Sequence, residues 1–103
     1  MNNHYLNQPI NKTIMRTYIV TFEINDTTRK EKVKEKLREY ESFCPIHENA
    51  CAISTLKRDL EIVQDIKDTI ISEDRLFVME SMKNATWVNS YGEDHNKWLL
   101  NYL

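Results

Sequence analysis

Along residues 18–24 apolar and polar positions alternate with a period of two. Tyr18, Val20, Phe22 and Ile24 fall on one face of the pattern; Ile19, Thr21 and Glu23 fall on the other. An extended chain points successive side chains to opposite faces, so this run predicts a strand. Its β-branched and aromatic residues favour the same element. Glu23 stands out as a carboxylate near the strand's end, followed by the polar run Asn25, Asp26, Thr27. The period then lengthens. Val33, Leu37 and Tyr40 recur at i, i+4, i+7, which predicts a helix over 28–42. Thr28 with Glu31 is a capping-box pattern for its first turn.

Residues 43–54 read as a hairpin turning at Glu48 and Asn49. Pairing about that turn sets Cys51 opposite Ile46 and Cys44 opposite Ile53, with these four on the core face. Pro45, His47, Ala50 and Ala52 take the other face. Pro45 donates no ladder hydrogen bond, so its strand belongs at an edge. A second helix is predicted over 57–71, with Ile62, Val63, Ile66 and Ile70 as its apolar stripe. A turn at Ser72, Glu73 and Asp74 leads into a strand over 75–81 that is apolar on both faces at its centre. Such a strand is expected to be buried on both sides. Trp87 and Val88 mark a short fifth strand. Residues 93–103 form a terminal helix anchored by Trp98, Leu99 and Tyr102. Residues 1–15 are rich in Asn and lack a sustained period. They read as an N-terminal extension to a single domain over 16–103.

The order strand, helix, hairpin, helix, strand defines an α+β chain. It predicts a ferredoxin-like split βαβ sandwich: an antiparallel sheet with two helices on one face and a C-terminal helix. The other face would carry Ile19, Thr21, Glu23, Ala50, Ala52, Phe77 and Met79. A bare, partly apolar face predicts a partner, most simply a second copy of the chain.

Composition narrows the classes of function. The 103 residues carry a formal charge of −2, with 41% hydrophobic and 29% charged residues. That balance is ordinary for a globular domain and is not the basic balance of a general nucleic-acid binder. No apolar run approaches the roughly 18 residues of a membrane span, and the start lacks the pattern of a signal peptide. Two cysteines without such a signal predict reduced thiols and a cytoplasmic setting. With one Gly and two Pro, turns fall to Asn, Asp and Ser.

Candidate chemistry is sparse. The first helix bears six basic residues against four acidic ones, a surface suited to phosphate or simply to water. Cys44, His47 and Cys51 do not make a zinc site, because alternation puts His47 opposite both thiols and no fourth ligand is evident. Glu23 has no neighbouring His or Lys in sequence to serve as a general base.

The run Phe22, Glu23, Ile24, Asn25, Asp26, Thr27, Thr28, Arg29, Lys30 resembles the opening of the small CRISPR-associated adaptation subunits. That family shows Tyr-Asp-Ile, an acidic residue two places on, and Arg three further. The tail with Trp87, Trp98 and Leu99 resembles the SinR-like branch, and the likeness spans about 16–103. The fold also resembles ribonuclease toxins of the virulence-associated family. The resemblance implies a ferredoxin-like homodimer. It implies catalytic positions at Glu23 and Asp26, a metal position at Glu23, and nucleic-acid contacts from Arg29 and Lys30. The chain departs from the family at Glu23, where aspartate is usual, and at Phe22, where tyrosine is usual.

Three functions are therefore expected. The first is a non-catalytic homodimeric scaffold linked to nucleic acid or a mobile element. The second is a magnesium-dependent endonuclease or toxin-type endoribonuclease using Glu23; otherwise no cofactor is expected. The third is a protein-interaction module binding through the bare sheet face. The reading leans away from an enzyme.

Overall fold

The computed structural model describes residues 14–82 and 84–103. Its elements run β1 (Arg16–Glu23), α1 (Thr27–Arg38), β2 (Ser42–His47), β3 (Ala50–Thr55), α2 (Asp59–Ile66), a 3₁₀ turn (Lys67–Thr69), β4 (Arg75–Glu80) and α3 (Glu93–Tyr102). The strands form one open antiparallel sheet in the order β2-β3-β1-β4. The described residues thus form a small α+β domain with a four-stranded antiparallel sheet and three helices. No helix of the described residues is long and apolar enough to cross a membrane. The expected N-terminal extension, apart from Ile14 and Met15, lies outside the described residues.

Alternation along β1 drives the core. Tyr18, Val20 and Phe22 turn to the face covered by α1 and α2, where they pack with Cys51, Ile53, Val33, Leu37, Ile62 and Ile66. Each fully buried aliphatic side chain there contributes about 1.5–3 kcal/mol. Of the apolar stripes read from sequence, Val33, Leu37, Ile62 and Ile66 are buried, Tyr40 and Ile70 pack partly buried against them, and Val63 is only half-buried.

Helix boundaries differ from the expected ones for local reasons. α1 starts one residue earlier than its periodic pattern, because Asp26 caps it: Asp26 Oδ2 accepts from the Arg29 backbone N–H at 2.8 Å. Asp26, not the expected Thr28–Glu31 box, satisfies the first-turn donor. Lys36 and Arg38 in the last turn complement the helix dipole. α2 ends early, at Ile66, where the chain tightens into the 3₁₀ turn, and a second turn then leads it into β4. Asp74 Oδ2 accepts from the Ile71 N–H at 3.0 Å, and the Asp74 N–H donates back to the Ile71 carbonyl at 3.0 Å.

The hairpin departs most from expectation. His47 pairs with Ala50, as counting from the turn predicts. A bulge then shifts the register between Pro45 and His47, so Phe43 lies opposite Ile53, Cys44 opposite Ala52 and Pro45 opposite Cys51. One extra residue reverses the face of every position beyond it. Cys44 therefore shares a face with Ala52 and His47, while Cys51 points into the core. The two thiols lie on opposite sides of the sheet; both are free and buried.

The second face is half covered. α3 lies against β2, where the Trp98 indole N–H donates to Ser42 Oγ at 2.6 Å. Cys44, Ala52, Ser54 and Leu99 are buried in that half. The half formed by β1 and β4 remains open. β4 is not buried on both sides: it is an edge strand with Phe77 58% and Met79 51% exposed. Residues 84–92 contain no strand, so the expected fifth strand near Trp87 does not form.

Candidate functional site

The end of β1 opens into a shallow depression of about 770 Å³. Thr21 and Glu23 from β1, His47 and Asn49 from the hairpin tip, and Arg75 and Phe77 from β4 line it. Strand order explains the convergence. β1 lies between β3 and β4, so its end meets the β2–β3 turn on one side and the start of β4 on the other.

Glu23 stands directly opposite Arg75 in the antiparallel ladder. Arg75 Nη1 donates to Glu23 Oε1 at 3.0 Å. The side chains are 74% and 78% exposed, so water screens the pair heavily. The other three residues singled out from sequence do not line the depression. Asp26 is the cap of α1. Arg29 reaches across to the turn before β4, where its Nε and Nη2 donate to the two carboxylate oxygens of Asp74 at 2.7 and 2.8 Å. Asp74 is only 1% exposed at its side chain. The Arg29 hydrogen bonds hold its carboxyl below the usual range, and the Ile71 N–H adds to that. The same bonds push the Arg29 guanidinium still higher. Lys30 Nζ donates to Glu48 at 2.8 Å, which Lys34 also approaches at 3.8 Å. Hydrogen bonding from Lys30 lowers the Glu48 carboxyl. Lys30 and Lys34 of α1 thus meet the hairpin tip at Glu48.

A second polar cluster ties the end of α1 to α2. Tyr40 Oη and Lys57 Nζ donate to the same Asp65 oxygen at 2.6 and 2.8 Å. Burial, then the bond to Asp65, pushes the Tyr40 hydroxyl well above its ordinary value. Burial pushes the Asp65 carboxyl up, but the hydrogen bonds from Lys57 and Tyr40 outweigh it and the net shift is downward. A hydroxyl held this firmly clamps two helices and gives up its proton only under strongly basic conditions.

Among the described residues no group of three or more His, Cys, Asp or Glu side chains is placed to hold a metal ion. The depression offers one exposed carboxylate, one exposed guanidinium, an imidazole and a phenyl ring. It can meet a polar or aromatic group on a partner, with Arg75 and Phe77 side by side on one face of β4. Sequence reading missed Arg75, Asp74, His47 and Asn49 as neighbours of this end. The signal for Arg75 is the placement of opposite charges at the end of the first strand and the start of the last. Antiparallel neighbours in that order bring the two together.

No protein-family model, no curated protein and no solved structure matches this chain.

Proposed function

We propose that the chain is a ferredoxin-like, non-catalytic homodimeric scaffold of a cytoplasmic nucleic-acid-linked or mobile-element system, in the manner of the CRISPR-associated adaptation subunits it resembles. The strand order β2-β3-β1-β4 and the element order β-α-β-β-α-β support the ferredoxin-like reading. The observation that carries the dimer is the open half of the second sheet face, where Phe77 and Met79 remain exposed beside β1. Contiguous exposed apolar residues on a sheet mark a surface used for association. The polar residues expected to do chemistry are engaged inside the protomer: Glu23 with Arg75, Asp26 with the start of α1, Arg29 with Asp74, and Lys30 with Glu48. That engagement supports a scaffold over an enzyme.

The second reading is a magnesium-dependent endonuclease. It is favoured by one observation, the exposed Glu23 carboxylate in an open depression. Magnesium takes few protein carboxylates and keeps several waters, so a second copy would have to bring its own Glu23 close. The experiment that separates the readings incubates labelled RNA and duplex DNA with magnesium and the purified chain, beside a Glu23→Ala variant. The scaffold reading expects no cleavage by either. Cleavage by the wild type that is lost in the variant would replace it with the nuclease.

A further inference from the structure

The two edges of the sheet are built differently. At β2, Pro45 lacks an N–H and a bulge interrupts the ladder between Pro45 and His47. Both features protect an edge from pairing with another chain. β4 has neither Pro nor Gly, and its register with β1 runs unbroken from Tyr18–Glu80 to Glu23–Arg75.

The ladder fixes which groups of β4 point outward. The Ser81 N–H donates to the Thr17 carbonyl at 2.8 Å, one step beyond the Tyr18–Glu80 pair. Bonded and non-bonded pairs alternate in an antiparallel ladder, so the odd-numbered residues of β4 bond β1. Leu76, Val78 and Glu80 direct their N–H and C=O groups away from the sheet. The side chains agree with an unfinished edge. Phe77 and Met79 are exposed on one face, while Leu76 and Val78 are only half-buried on the other.

The geometry points to β4 of a second copy as the occupant of this edge, paired antiparallel about a two-fold axis at Val78, giving a continuous eight-stranded sheet. This rests on the homodimer reading above and specifies its interface. An axis perpendicular to the sheet keeps the helix layers on one side and lets only residues of the same parity face each other. Two registers fit the strand. An axis at Phe77 sets Glu80 of one copy against Asp74 of the other, which lies outside β4 and already donates its N–H to the Ile71 carbonyl, so Glu80 gains no complete ladder pair. An axis at Val78 avoids this. It sets Val78 opposite Val78, Leu76 opposite Glu80, and Phe77 opposite Met79. All three outward-facing residues then pair among themselves, and the exposed apolar side chains cover one another.

The test uses two variants of the full chain that each add one cysteine, Val78→Cys and Phe77→Cys, with Cys44 and Cys51 left in place because both are buried. Directly opposite residues lie about 5.5 Å apart and fall within disulfide reach, whereas diagonal ones at about 7–8 Å do not. Under a mild oxidant, Val78→Cys is expected to run as a covalent dimer on a non-reducing gel, and Phe77→Cys as a monomer. In the wild type, the Val78 amide is expected to exchange slowly with solvent at dimer concentrations, although it has no acceptor among the described residues of its own protomer. Cross-linking of Phe77→Cys instead would overturn the register. Absent cross-links and a fast Val78 amide in a chain that still has dimer mass would overturn the edge pairing and leave the homodimer standing. A monomer mass would overturn both.

Discussion

Arg29 holds Asp74 by two parallel hydrogen bonds, 2.7 and 2.8 Å long, across 45 residues of sequence. The pair joins the first turn of α1 to the turn before β4, so it fixes where the last strand enters the sheet. Asp74 is nearly enclosed, and among the described residues removing Arg29 leaves its carboxylate with only the Ile71 backbone N–H. Arg29→Ala is therefore expected to lower the thermal midpoint clearly. Glu23→Ala, which breaks a solvent-screened pair, should cost no more than about 1 kcal/mol. Parallel melts followed by circular dichroism compare the two.

The same pair sets a pH dependence. The Asp74 carboxyl is held low chiefly by the hydrogen bonds from Arg29. A carboxyl whose folded pKa lies below its unfolded value, about 3.9 for Asp, stabilises the fold above that value. This contribution is lost as the pH falls through the folded pKa. The urea midpoint of the wild type should fall as the pH drops below about 4. In Asp74→Asn the fall should be shallower, with the residual slope coming from Glu41, Glu48 and Asp65.

Leu37 is fully buried between α1 and the sheet. Leu37→Ala removes apolar surface and leaves a cavity, which is expected to cost about 2–5 kcal/mol. Urea unfolding at neutral pH gives the value directly. A loss under 1 kcal/mol would show that α1 is not seated as described.

Much of the architecture was legible in the sequence because the periods were unambiguous. The β1 alternation and the stripes through Val33 and Leu37 and through Ile62 and Ile66 identified the core. The hairpin was not legible. Its bulge beside Pro45 depends on how β2 fits against β3, and a single inserted residue moved Cys44 to the opposite face. β4 was read as doubly buried because Leu76, Phe77, Val78 and Met79 are apolar in succession. Composition does not reveal that the strand lies at an edge. For the candidate site, Glu23 was visible as an anomaly in its strand. Its partner Arg75 needed the strand order, and the Arg29–Asp74 and Lys30–Glu48 pairs join residues too distant in sequence for any local rule.

The two cysteines supply a test of the half-covered face. Burial pushes the Cys51 thiol up to about 12 and raises that of Cys44, so neither is a ready nucleophile at neutral pH. Thiol titration should find two reactive groups in denaturant without reductant and almost none in the native chain. Leu99→Ala should loosen α3 from β2 and make Cys44 reactive. Cys51, on the face under α1 and α2, should stay protected.

Two copies of the chain are expected to pair along the β4 edge that borders the open β1–β4 half of the sheet. Multi-angle light scattering across micromolar concentrations tests this pairing most directly, with a Phe77→Lys, Met79→Lys variant beside the wild type. The wild type is expected at twice the 12.3 kDa chain mass, and the variant at the chain mass with an unchanged circular dichroism spectrum. A wild-type chain that stays at 12.3 kDa throughout would show that two copies do not pair.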